Sequence, residues 1–477
     1  MCYDLQQCKL EHMSLSTKIA KNTSYLIIGR VLASVLGILS VALLLRYLSP
    51  DDYGKYTTVI SFVLLFGTFV DLGLNLTTTQ DISVPGRDVA HTLSSIFTLR
   101  LIINIGLVLL LPIILLAFPY EQMIKTAIMI SSTIFFTFSL FQVLASYFQK
   151  ELQAEKVAIA DLLGKVALLL VVIVAVKFKF SFIELIIAIM LSSLVQLWVL
   201  LRFTSKVIKL KLCIDLLIWK RILKKTWPIA LSVIFTTIYF KGDAVILSLV
   251  RPYGDVGIYG ASYKILEVLI TLPILFMGLV LPHLAKSYAE NNKEKFNKAI
   301  QKSWDALSLF TLPLVIGTLV LAEPIILLIA GKGYEPSIQV LRILIVAAGI
   351  IFLGSLFTHT IVAINKQKSM IKYYAIAAVL AVVLYIIYIP TYTYYAAAIV
   401  TVIAELLIAT AALIKVYKTT HFKLSFLIFN KTLFASAIMG LILYLLSGLH
   451  ILILVPVGVI VYFIFIKLLR AMPIKLS

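Results

Sequence analysis

The sequence predicts an all-α polytopic membrane protein, and three observations carry that expectation. Hydrophobic residues fill 61% of the 477 positions and charged residues 13%, where a soluble domain has about 45–50% and about 25%. Mean hydropathy is +1.06, and the apolar residues run through the whole length, so one anchor on a soluble enzyme cannot account for them. Lys and Arg fall in short gaps between the apolar runs, where the positive-inside rule places them.

A span needs about 20 mainly apolar residues. Such runs lie near 23–48, 55–74, 92–118, 124–148, 157–178, 181–203 and 226–250, then 256–283, 299–328, 338–364, 370–389, 394–415, 424–446 and 450–469. That is about fourteen spans. With the N-terminus inside, the inner segments carry Lys9, Lys18, Lys21, Arg87, Lys150 and Lys156, then the dense group from Arg202 to Lys225. They continue through Lys286–Lys302, Lys366–Lys372, Lys415–Lys423 and Lys467, Arg470 and Lys475. The opposite side carries Lys55, Lys125, Lys177, Lys179, Arg251 and Lys332. An odd count would invert the second half and spoil this asymmetry, so both termini are expected in the cytoplasm, with the chain in the inner (cytoplasmic) cell membrane. The net charge of +20 is thereby read as topology against anionic lipid, and no nucleic acid partner is expected. Cys2, Cys8 and Cys213 fall in segments expected inside, which argues against disulfides. Met13 is a second candidate start, and the first apolar run is too long for a cleavable signal.

The chain is expected to divide into a leader (1–22), an N-terminal six-helix bundle (23–203), a basic cytoplasmic linker (204–225), a second six-helix bundle (226–415) and two further helices with a tail (416–477). Tyr53-Gly54-Lys55-Tyr56 between spans 1 and 2 and Val256-Gly257-Ile258-Tyr259 between spans 7 and 8 repeat Gly-x-Tyr at spans six apart. Six-span halves have both ends on one side, so the repeat would be parallel.

Ionisable groups inside a membrane are costly and usually face a cavity or a partner. Arg30, Asp71 and Arg100 all lie in the cytoplasmic third of spans 1, 2 and 3, and suggest a shared polar chamber. Snorkelling of the arginines is the plainer alternative. In spans 7 and 8, Lys241, Asp243, Lys264 and Glu267 meet at middle to outer depth. Lys264 and Glu267 share a helix face, whereas Lys241 and Asp243 stand about 200° apart, so only one of them points to a cavity. Asp161 and Lys165 read as a local i,i+4 pair. Glu184, Asp305, Arg342 and His359 sit near span ends. Glu405 lies in mid-span with no basic residue near it in sequence, and is a candidate for ion coupling. Pro273 and Pro313, with Gly278 and Gly317 nearby, mark helices that can bend.

The sequence contains no G-x-x-x-x-G-K-[ST] and no soluble segment able to hold nucleotide. No metal cluster, nucleophile elbow or H-E-x-x-H is present, so no cofactor and no enzymatic activity are expected. Asp51-Asp52 raises one competing class, a membrane glycosyltransferase using polyprenyl-linked sugar. The plainer reading makes Ser49-Pro50-Asp51-Asp52 a turn.

Arg46-Tyr47-Leu48-Ser49-Pro50-Asp51-Asp52-Tyr53-Gly54-Lys55-Tyr56 resembles the span 1–2 turn of polysaccharide exporters related to the O-antigen flippases, within the MATE-like multidrug, oligosaccharidyl-lipid and polysaccharide superfamily. Lys241-Gly242-Asp243 followed by Val256-Gly257-Ile258-Tyr259-Gly260-Ala261 is similar to that family's span 7–8 region. The resemblance implies two bundles closing a central cavity that opens alternately to each side. It implies a substrate of polyprenyl-diphosphate-linked oligosaccharide, moved from the inner to the outer leaflet, with membrane lipids and polysaccharide polymerase or assembly proteins as further partners. A diphosphate crossing a low-dielectric core needs fixed cations, so Arg30, Lys241, Lys264 and Arg100 become candidate headgroup contacts. Asp71, Asp243, Glu267 and Glu405 become candidates for positioning those cations or for coupling to H+ or Na+. Lipid II flippases, a sister branch, carry a denser set of cavity arginines, which favours the general oligosaccharide branch. A MATE-type drug/cation antiporter is the alternative on the same fold.

Overall fold

The computed structural model describes residues 15–471, with side chains described from residue 29 onward except at 70 and 76. Of the leader expected over 1–22, residues 1–14, with Cys2, Cys8, His12 and Met13, lie outside the described residues, as does Lys475. Residues 15–22 are the opening turns of the first helix.

All regular structure among the described residues is helical. The helices are α1 Leu15–Tyr47, α2 Pro50–Asp71, α3 Leu74–Ile82, α4 Val89–Leu116, α5 Gln122–Lys150, α6 Ala154–Phe178, α7 Phe182–Ser205 and α8 Leu216–Val250. They continue as α9 Tyr253–Leu269, α10 Thr271–Ala289, α11 Lys293–Ile329, α12 Ser337–Ala363, α13 Ile371–Thr420, α14 Leu427–Leu445 and α15 Ile451–Leu468. Twelve helical stretches among the described residues are long and apolar enough to cross a membrane. One of these, Gln367–Thr420, turns at Thr393, whose φ of 54° is non-helical. The chain is a multi-pass membrane protein.

Helix ends follow local chemistry. Ser49 precedes Pro50, and its hydroxyl accepts from the Asp52 amide while donating to the Asp52 carboxylate at 2.8 Å. Proline at the first helical position with acids beside it suits a helix start. Ser181 and Glu184 form a capping box on α7, which gives Glu184 its role. The run read as one span at 55–74 stops at Asp71, and α3 restarts after Leu72 (φ 46°) and Gly73 (φ 76°). Gly73 combines a left-handed backbone with a close approach, because a Cβ there would lie 2.7 Å from Ile229. The span read at 256–283 also breaks, after Leu269, with Pro273 in the first turn of α10, where its missing N–H costs no helical bond.

Two compact units divide the chain. The first holds residues 15–47 and 59–234 of the described chain, the second 48–58 and 235–471. In the first unit α6 packs on α1 and α7, and α5 on α4 and α7. Leu74, Leu93, Ile96, Val143, Ile218 and Ile222 bury the base of α8 there. The expected linker 204–225 is therefore partly structured. Its irregular part bonds to α4 through Lys211 N to Ser94 Oγ and Cys213 N to Thr98 Oγ1, and α8 begins at Leu216. In the second unit α12 packs on α9, α10, α11 and α13, and the last two helices join it as α14 packs on α11 and α15 on α14. Many large apolar side chains stay exposed along the helices, Leu109, Phe310 and Leu452 among them, as lipid-facing surface requires.

Candidate functional site

In the second unit α8 and α9 bring four of the expected residues together. Lys241 and Lys264 converge on one carboxylate. Lys241 Nζ pairs with Glu267 Oε1, and Lys264 Nζ lies 2.8 Å from Glu267 Oε2. Lys241 also sits over the Tyr263 ring, 4.9 Å from its centroid. Two cations against one anion leave one positive charge in excess. The side chains differ in access: Lys241 is 15% exposed and Lys264 42%. Lys264, with donors still open and the Tyr56 phenol nearby, is the member able to meet an anion. Tyr56 belongs to the 48–58 segment that sits in this unit.

Asp243 points the other way, as two residues' separation on a helix demands. Its carboxylate is fully buried, accepts from the Tyr259 hydroxyl at 2.5 Å and from the Ala244 amide at 2.6 Å. Other buried hydroxyls of this unit are bonded to backbone carbonyls. Tyr385 donates to the Tyr239 carbonyl at 3.0 Å, and the Thr401 hydroxyl donates to the Ala397 carbonyl at 2.9 Å. The Tyr239 hydroxyl meets Glu405. Glu405 has no ion-pair partner among the described residues. The tyrosines were not singled out from the sequence. Tyr259 and Tyr263 are four apart on a buried face, and that spacing beside Asp243 was the available signal.

In the first unit Arg100 is completely buried and its Nη1 lies 2.8 Å from Asp71 Oδ1. The same nitrogen donates to the Ser139 carbonyl and hydroxyl, both at 3.1 Å, and Asn104 donates to the Ser139 hydroxyl and to the Arg100 carbonyl. Arg100 Nε and Nη2 are buried without a hydrogen-bond partner. Arg100, expected as a headgroup contact, is thus sequestered behind Asp71, which keeps partial exposure. Arg30 stands apart from this pair. It is exposed, and its electrostatic neighbour is Asp161 on α6. The expected chamber of Arg30, Asp71 and Arg100 is therefore a two-residue pair plus a separate surface arginine. The Asp161–Lys165 reading also changes: Asp161 accepts from Gln196 of α7 at 2.9 Å, with Arg30 and Lys165 both in electrostatic reach.

Asp51 and Asp52 serve the start of α2. Lys55 pairs with Asp51 at 2.8 Å, and Asp52 is engaged by Ser49. Asp305 accepts from Gln301, and Arg342 Nε donates to the Leu319 carbonyl.

An all-helical chain with many apolar spans and ion pairs held inside its units is a polytopic membrane protein. The chain is a member of the polysaccharide biosynthesis protein family, whose model matches residues 43–339. No curated protein matches the sequence. Among solved structures, the lipid II flippase MurJ in an inward closed conformation shares the fold at a TM-score of 0.78 and 18% identity, covering 93% of this chain and 98% of that one. An inward-facing multidrug resistance MATE family transporter of the MOP superfamily gives 0.69 and 16%, over 83% and 98%. A MOP superfamily transporter from Pyrococcus furiosus, described as having a binding pocket of reverse polarity, gives 0.60 and 15%, over 85% and 96%. At these identities the likeness is one of fold.

Proposed function

We propose that this chain moves polyprenyl-diphosphate-linked oligosaccharide units from the inner to the outer leaflet of the cytoplasmic membrane, by alternating access, for surface polysaccharide assembly. Membership of the polysaccharide biosynthesis family supports the glycan, and a flippase of the same fold supports the lipid-linked form. The single observation that carries the reading is the Lys241–Glu267–Lys264 triad. Its excess positive charge, with the half-buried Lys264 outermost, supplies the fixed cation that a diphosphate needs in a low-dielectric passage. Glu267 holds both lysines in place, Lys241 fixes Glu267, and Lys264 makes the contact. In the first unit Arg30 is a further exposed cation, and Asp71 is positioned by Arg100.

Coupling to H+ or Na+ is assigned in this reading to the buried carboxylates Asp243 and Glu405. Both termini lie in the cytoplasm, and polymerase or assembly proteins receive the product. The test is loss of surface glycan in Lys264→Ala with protein level and membrane insertion unchanged. Undiminished glycan in that variant would remove the site. A drug/cation antiporter is the second reading, favoured by the two buried carboxylates that form no ion pair among the described residues. It predicts altered resistance to cationic drugs on deletion and normal surface glycan.

A further inference from the structure

The base of α8 carries a charge cluster outside the residues considered so far. Asp81, in the last turn of α3, is completely buried, and three cations close on its carboxylate. Arg221 Nη2 donates to Oδ2 at 2.9 Å, Lys225 Nζ lies 3.5 Å from Oδ1, and Arg87 Nη2 lies 4.0 Å from the same oxygen. The scaffold beneath is firm. Thr77 and Thr226 share a hydrogen bond of 2.8 Å between α3 and α8, and Leu74, Ile218 and Ile222 are buried around it.

One carboxylate balances one cation, so three minus one leaves two positive charges in excess. Asp81 holds these like charges close together against their mutual repulsion. The cations remain reachable, with Arg87 34%, Arg221 30% and Lys225 46% exposed. Arg221 also keeps a buried Nε with no acceptor, a costly state for an ionised donor. An oxyanion arriving at the cluster would supply that acceptor after a small turn of the guanidinium. Its ideal charge is near −2, which is that of a phosphate monoester or a diphosphate rather than a carboxylate.

The level of the cluster relative to lipid can be read from α8. Lys220, Leu223, Lys224 and Trp227, at i, i+3, i+4 and i+7, form one exposed stripe. Just before them Leu212, Ile214, Leu216 and Leu217 are exposed between Lys211 and Lys220. Interleaved lysines, leucines and a tryptophan mark the headgroup layer of a bilayer. We propose that Arg87, Arg221 and Lys225, held over Asp81, form a docking site for the terminal phosphate of an anionic lipid at the membrane surface. The site stands apart from the transport reading, since a lipid can be held there whether or not the chain moves it.

The test uses the purified full chain and native mass spectrometry, with dioleoylphosphatidic acid and dioleoylphosphatidylcholine as probes. Phosphatidic acid should be retained about tenfold or more over phosphatidylcholine, as charge-assisted bonds to phosphate imply. Arg221→Gln with Lys225→Gln should abolish the preference, whereas Lys224→Gln, which changes a lysine away from Asp81, should keep it. If the double variant does not fold, Arg87→Gln alone should still lower the preference. Equal retention of the two lipids, or an unchanged preference in a folded double variant or in Arg87→Gln, would overturn the site. Displacement of phosphatidic acid by an equal concentration of inorganic diphosphate would overturn its assignment to lipid.

Discussion

Gly54 and Gly257 lie back to back where α2 and α9 begin. A Cβ on Gly54 would fall 1.7 Å from the Tyr253 carbonyl oxygen, and one on Gly257 would fall 1.9 Å from that of Pro50. The two Gly-x-Tyr turns therefore meet each other in space, with each glycine receiving the other turn's backbone. Because the obstacle is backbone, no side chain can swing aside. Gly54→Ala or Gly257→Ala should each destabilise the chain by at least the ~1–3 kcal/mol typical of overpacking, read as a lower thermal midpoint in detergent. Gly106→Ala, where nothing lies within 4 Å, should leave it unchanged or raise it. Equal midpoints for all three variants would refute the clasp.

The buried pair of Asp71 and Arg100 makes a second prediction. Asp71→Asn leaves a guanidinium with zero exposure uncompensated, at about 3–5 kcal/mol. Arg100→Gln should also destabilise, while the double variant should be less destabilised than the two losses added. A thermal double-mutant cycle in nanodiscs reads this, and strict additivity would mean the two charges do not stabilise each other.

Tyr259 donates to the fully buried Asp243 carboxylate. Tyr259→Phe removes that donor alone and should cost about 1.5–3 kcal/mol. Tyr388→Phe, at an exposed ring, is the comparison and should be silent in the same unfolding measurement.

Asp215, ahead of α8 and outside its span, accepts from the His91 ring at 3.0 Å and from the Ile218 and Leu217 amides. The His91 bond, with those backbone bonds, holds its carboxyl below the ordinary aspartate range. A depressed carboxyl stabilises fully above its unfolded pKa of about 3.9 and loses that contribution as pH falls through its lower folded value. Hydrogen exchange at the Leu217 and Ile218 amides should therefore stay protected at neutral pH and open in that acid range. In Asp215→Asn it should lose this acid dependence, and a wild-type profile in that variant would refute the cap.

Much of the fold was legible because a span is a local property. Apolar length located the helices, while Ser49-Pro50-Asp51-Asp52, read as a turn ahead of a span at 55, instead opens α2 at Pro50. The break at Leu72 and Gly73 was not legible, since apolar composition continues across it and the glycine is explained by its left-handed backbone and by the contact with Ile229. For the site, Lys264 and Glu267 were readable as neighbours at three residues' spacing, and the opposite faces of Lys241 and Asp243 followed from helix geometry. Partners distant in sequence were hidden. Arg221 and Asp81 are 140 positions apart, Glu405 finds Tyr239 on another helix, and Arg30 is near Asp161 rather than Asp71. Each of these depends on which helices adjoin, which no local spacing encodes.

The most direct test reconstitutes the chain into vesicles carrying a polyprenyl-diphosphate-linked oligosaccharide with a fluorescent sugar label, and follows loss of signal to a membrane-impermeant quencher. The account predicts that inner-leaflet label becomes accessible with the wild-type chain, and stays protected with Lys264→Ala and in empty vesicles. Label that stays protected with the folded wild-type chain, or becomes equally accessible with Lys264→Ala, would contradict it.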